Sequence, residues 1–171
     1  IMHGGKALWL IDPIYVNRDT LTTRGYSLGF KNELNLDDIL FKYGVRLNQV
    51  LVQDLQSAQV PVNVGMKKGQ PDFKPFPWNY YPLILPSANH PIVKNLDPVA
   101  FKFTSSLDTL SNPNVKKTIL LSSSNYSRVQ PTPFQIYLEG AKQKPNPYLF
   151  NQKNIPLAVL LEGNFTSLYK N

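Results

Sequence analysis

A chain of 171 residues is long enough to bury a core within one domain, and 42% hydrophobic with 12% aromatic residues excludes a disordered tail. There is no cysteine, which removes disulfides, thiol nucleophiles and thiolate metal ligands together. The formal charge of +7 is scattered over Lys67-Lys68, Lys116-Lys117, Lys142 and Lys144 instead of forming a basic stripe with stacking aromatics, so a solvated basic surface is expected and nucleic acid is not.

From the N-terminus, Ala7–Asp12 (ALWLID) is a near-continuous apolar run, the pattern of a strand covered on both faces. Asn17–Lys31 is polar, contains Gly25 and Gly29, and reads as a loop. A helix is expected over Leu36–Tyr43, where Leu36, Ile39, Leu40 and Tyr43 recur at i, i+3, i+4 and i+7. Asn35 suits its N-cap, Asp37 and Asp38 its first turn, and Gly44 its C′ position. Val50–Gln53 reads as a strand. Val60, Val62 and Val64 alternate with polar or proline residues and read as an edge strand, because Pro61 has no N–H to give a ladder.

Gly65–Pro77 (GMKKGQPDFKPFP) has the composition of a loop, and Tyr81–Leu85 that of a strand. Asn89 suits the cap of a short helix with Pro91 in its first turn. Val99–Thr104, Lys117–Ser122, Phe134–Leu138 and Leu157–Leu161 are further strand candidates, and Pro145-Asn146-Pro147 marks a turn. Fifteen prolines make up about 9% of the chain, against about 5% on average, which agrees with many short strands and long connections. No apolar run approaches the roughly 18 residues of a membrane span. Ile1–Lys6 lacks the apolar core of a signal peptide.

Few arrangements here carry chemistry. Gly25-Tyr26-Ser27-Leu28-Gly29 matches G-x-S-x-G, but the residues before it are too polar for the strand a nucleophile elbow needs, and the helix starts too late. The chain has two histidines, His3 and His90, without metal-ligand spacing; His90 suits a structural bond to nearby backbone, with a binding role as the alternative. Glu33, Asp37, Asp38, Asp54, Glu139 and Glu162 read as solvated or capping carboxylates. No phosphate-binding loop is present, so this is not an ATPase subunit. The aromatics Phe73, Phe76, Trp78, Tyr80 and Tyr81 alternate with Pro75, Pro77 and Pro82. Prolines stiffen the backbone, so these rings serve either as a cover over the core or as preorganised contacts for a partner or a sugar.

Six pieces in order resemble the GldG-like auxiliary proteins of gliding-motility ABC transporters. They are ALWLIDP (Ala7–Pro13), NLDDILFKYGVRLNQVLVQDLQ (Asn35–Gln56), FPWNYYPL (Phe76–Leu83), NHPIVKNLDPV (Asn89–Val99), LLSSSNYSR (Leu120–Arg128) and LAVLLEGNFTSLYKN (Leu157–Asn171). The resemblance implies a mixed-sheet α/β sandwich, flavodoxin-like or glutamine-amidotransferase-like. Without cysteine, amidotransferase chemistry has no nucleophile here. It also implies a non-enzymatic accessory domain on the periplasmic face of the cytoplasmic membrane, contacting permease and ATPase subunits. Membrane anchorage would lie in segments outside this chain, which then reads as a soluble piece of a longer protein. No cofactor or metal is implied. The candidate contact residues are Asp12, Phe76, Trp78, Tyr80, Tyr81 and His90. The alternative function is carbohydrate or glycoconjugate binding, by analogy with a non-catalytic oligosaccharyltransferase subunit of similar fold.

Overall fold

The computed structural model describes residues 4–86 and 89–169. Ala7–Asp12 forms no strand, and Leu8 and Leu10 are 85% and 88% exposed. An apolar run becomes a strand only when another strand offers it an edge. Pairing begins one residue past Pro13, at β1 (Ile14–Val16).

The polar stretch expected to be a loop holds a helix and a strand. Asn17 caps α1 (Arg18–Arg24), its Oδ1 accepting from Thr20 N at 2.8 Å. Gly25, at φ +77°, ends the helix in the left-handed region, with its N–H bonded to Leu21 O. The chain then enters β2 (Tyr26–Lys31), which returns antiparallel to β1. The expected helix survives as α2 (Asp37–Lys42), with Leu40 and Tyr43 buried and Gly44 at φ +85°. Asn35 is not its cap. It lies at φ +53°, and Leu36 holds the N-cap position without a side-chain bond.

β3 (Val45–Leu47) and β4 (Val50–Asp54) follow. The next two strands, β5 (Ser57–Lys67) and β6 (Gln70–Ile84), make a long hairpin through the segment whose composition suggested a loop. Its turn is Lys68-Gly69, with φ of +52° and +79°, the two positive values of a type I′ hairpin turn. Pro61 stands opposite Pro75, where neither residue has an N–H, so this must be a non-hydrogen-bonded rung. Pro71, Pro75 and Pro77 share its parity, so the ladder loses no bond at any of them. β5 is the outer strand of its sheet, as Pro61 suggested.

Asn89 and Pro91 start a hydrogen-bonded turn, not a helix; Val93 N and Lys94 N both donate to His90 O. The remaining strands are β7 (Val99–Ala100), β8 (Leu107–Thr109), β9 (Val115–Ser122), β10 (Ser127–Pro131), β11 (Phe134–Tyr137) and β12 (Pro156–Gly163). Short 3-10 turns cover Leu138–Lys142 and Pro147–Leu149.

The α/β expectation is therefore overturned. About 45% of the described residues are strand and 13% helix, and every strand pairing is antiparallel. The sheets have two or three strands each: β1-β2-β11, β10-β4, β12-β9, β3-β8 and β5-β6-β7. Helices of seven and six residues are too short to cover a mixed sheet. Burial comes from sheets facing one another. The main core holds Ile14 of β1, Ile136 of β11, Leu51 of β4, Val60 and Val62 of β5, Trp78 of β6 and Phe103. Val52, Ile84 and Leu157 form a second, smaller cluster. Among the described residues, no helix is long and apolar enough to cross a membrane.

Candidate functional site

β2 is an inside-out strand. Side chains along a strand alternate between faces, and here the small ones point inward. Ser27 and Gly29 are buried, while Tyr26, Leu28 and Phe30 are exposed. The neighbours explain why. A Cβ on Gly29 would stand 3.4 Å from Phe134 Cε1 and 3.7 Å from Ile136 Cδ1, so the large side chains of β11 already fill the space beneath it. Ser27 Oγ accepts from Asn17 N at 3.1 Å and ties the start of α1 to the sheet. The inner face of this sheet is thus closed with small residues at its centre, and the outer face is left with large ones.

Register places them together. Tyr15 of β1 is directly opposite Phe30, with ring centroids 5.2 Å apart. Tyr137 of β11 is opposite Tyr26, with centroids 6.3 Å apart. Gln135 is opposite Leu28, which is 56% exposed. The outer face of β1-β2-β11 therefore presents Tyr15, Phe30, Leu28, Tyr26 and Tyr137 around one polar residue. Contiguous exposed apolar surface of this kind marks interaction sites, and tyrosine is among the residues favoured as interface anchors. At one margin, an open depression of about 380 Å3 is lined by Tyr15, Val16, Asn17, Arg18, Asp19 and Thr22.

None of the six candidate contact residues named from the sequence is on this face. Phe76, Trp78, Tyr80 and Tyr81 are brought together, but on the other side of the same sheet, where Trp78 lies in the main core and the other three, partly buried, pack against it. Ser57 faces Pro82 while Gln59 faces Pro77, so the extra residues Trp78–Tyr81 bulge out of register into the interior. Trp78 is 2% exposed and packs edge-on against Phe103 at 5.6 Å and Tyr80 at 5.4 Å. Tyr80 in turn stacks on Phe134 at 5.8 Å. Asp12 is exposed, and its backbone oxygen accepts from Asn32 Nδ2 at 3.2 Å. His90 is half-buried, and its Nδ1 accepts from Ile92 N at 3.3 Å, a local backbone bond. His3 lies outside the described residues.

Beside the aromatic core runs a buried polar network. Gln53 Oε1 accepts from Asn79 Nδ2 at 3.0 Å and from Arg128 Nε at 2.8 Å. The Arg128 guanidinium lies over the Phe150 ring at 5.0 Å. Asp54 is fully buried; its carboxylate accepts from Ser124 Oγ at 2.6 Å, Ser124 N at 2.7 Å and Gln56 N at 2.8 Å. Burial pushes the Tyr80 hydroxyl up to about 12, with Arg128 and Gln53 opposing part of that rise. These contacts hold β4, β6 and β10 together, and each carboxylate oxygen is bound to a structural donor.

The G-x-S-x-G stretch has the reverse of the elbow's order. Gly25 ends a helix and a strand follows, whereas the elbow runs from strand to helix. Ser27 is 2% exposed, and its one close partner is the Asn17 amide. Among the described residues no three His, Asp or Glu side chains gather as metal ligands do.

A family model described as "ABC-type uncharacterized transport system" matches residues 1–171. The chain belongs to this family. It is an auxiliary component of an ABC-type transport system. No curated protein and no solved structure matches it.

Proposed function

We propose that this auxiliary protein works by holding a protein partner against the outer face of β1-β2-β11, without bond chemistry of its own. The observation that carries this reading is the inversion of β2. Tyr26, Leu28 and Phe30 turn to solvent while Ser27 and Gly29 are inside, leaving five large side chains uncovered on one sheet face. Membership of a transport-system family supports a permease or other subunit of the same ABC system as the occupant. Action outside the cytoplasmic membrane, in gliding motility or envelope export, is the finer form of this proposal. It rests on the resemblance of the six sequence pieces. Glycan binding through Trp78 draws less support, because that ring is enclosed by Tyr80, Tyr81 and Phe103.

Co-purification tests the reading. The tagged protein, expressed with the permease and ATPase subunits of its system, is expected to retain a permease subunit. Leu28→Asp combined with Phe30→Asp is expected to release it while leaving the melting transition in place, since both side chains are exposed. Equal retention by the double variant sinks the assignment of this face. A protein that retains no subunit of the system sinks the partner reading itself.

A further inference from the structure

The hairpin of β5 and β6 extends well beyond the core it helps to build. Val62 is its last buried position, and the five residues of β5 past it project about 16 Å at a strand's rise. Antiparallel partners share a face, so register assigns the sides of this arm. One side carries Pro61 opposite Pro75, Asn63 opposite Phe73, and Met66 opposite Pro71, with Pro77 nearer the base. All of these are exposed; Met66 is 70% and Phe73 59% exposed. A bulge between Asn63 and Gly65 keeps Met66 on that side, and Asn63 Oδ1 accepts from Gly65 N at 2.8 Å to fix it. Lys67 and Lys74 stand on the reverse side with Asp72, and Lys68 occupies the turn. Two lysines share that side with one aspartate, and a third lysine stands at the tip.

We infer that this arm docks on the surface of an anionic phospholipid membrane, with Met66, Phe73 and the proline band entering the headgroup region. The arm has the two-sided chemistry of an interfacial amphipathic segment. One face is mainly apolar, interrupted by Asn63, and the other carries lysines whose long stems let the ammonium groups reach lipid phosphates. An acidic protein is the less favoured occupant. Pro61, Pro71, Pro75 and Pro77 remove the N–H donors with which a protein strand would extend the sheet, and the apolar band gives an acidic chain nothing to pair with. This face turns away from the outer face of β1-β2-β11, because both sheets send their inner side chains into one core. Membrane docking is therefore independent of the partner reading.

Flotation with lipid vesicles tests it. The purified chain is expected to bind phosphatidylcholine vesicles containing phosphatidylglycerol and not vesicles of phosphatidylcholine alone. Lys67→Gln and Lys68→Gln are each expected to lower the partition about fivefold, and Met66→Ser with Phe73→Ser more than tenfold. A second readout does not depend on those variants folding identically. In a Phe73→Trp variant the new indole is expected to shift to the blue on anionic vesicles and to be quenched by brominated acyl chains. Binding that survives Met66→Ser with Phe73→Ser, or a tryptophan at 73 whose emission is unchanged by vesicles yet responds to polyglutamate, overturns the inference. So does equal binding to neutral and anionic vesicles.

Discussion

β2 and β6 are both rich in large apolar side chains, and they place them in opposite directions. β6 sends Trp78, Tyr80 and Pro82 inward and keeps Pro71, Pro75 and Pro77 on its outer side. β2 keeps Ser27 and Gly29 inward and presents Tyr26, Leu28 and Phe30 to solvent. The core between them has a fixed volume, and protein interiors pack close to solid density. Once Trp78, Tyr80 and Phe134 fill that space, the strand above it has room only for small inner residues. The aromatic weight of β6 thus permits, and in volume terms requires, the small inner face of β2. It leaves the large residues of β2 free for another task.

The comparison breaks most sharply at Trp78. Trp78→Ala empties the centre of the aromatic cluster and is expected to cost about 4 kcal/mol in urea denaturation. A cost under about 1 kcal/mol, the size of an ordinary surface change, means that β6 does not carry the core. Next is the network that fastens β6 to its neighbours. Asp54→Ala leaves three donors unmet, including the half-buried amide of Ser124, and is expected to lose about 3 kcal/mol.

Alkaline pH sharpens the same contrast with a smaller effect. Tyr80 has its folded pKa raised to about 12 from 10.0, so its neutral form is favoured by folding. Its contribution is present in full below pH 10 and is lost as pH rises toward about 12, on the order of 2 kcal/mol in all. Urea midpoints across that window are expected to fall less steeply in Tyr80→Phe than in the parent; parallel slopes in the two proteins rule the tyrosine out as the cause. The smallest effect belongs to β2. Leu28→Ser is expected to leave stability within about 0.5 kcal/mol, and a loss of several times that by thermal melting means Leu28 is covered in solution.

Much of the secondary structure was legible in the residues. The stripe of α2 and the β-branched or aliphatic runs of β4, β9, β11 and β12 emerge near their expected bounds. Pro61 correctly marked an outer strand. The hairpin arm was hidden because Gly, Pro and Lys usually signal a loop, and only its pairing shows that each proline falls where no N–H is needed. α1 did carry a readable signal, Asn17 as cap and Gly25 as stop, which its polar composition obscured. The exposed aromatic face of β1-β2-β11 was not legible. Tyr26-Ser27-Leu28-Gly29-Phe30 alternates well, but alternation does not say which side is covered.

The sequence by itself determined that the chain has no thiol chemistry, which segments favour helix or strand, and that it resembles transport-system auxiliaries; it also supplied the prolines that remove N–H donors from the edges of the β5–β6 arm beyond the core. Tertiary structure alone decided that the sheets are antiparallel and small, that Trp78 is enclosed, that Ala7–Asp12 finds no partner edge, and which side of β2 faces solvent. The physical reason is that local propensity depends on neighbours a few residues away, whereas burial depends on volume filled by side chains distant in sequence. Phe134 and Ile136, more than 100 residues beyond Gly29, occupy the space that a larger residue at that position would need.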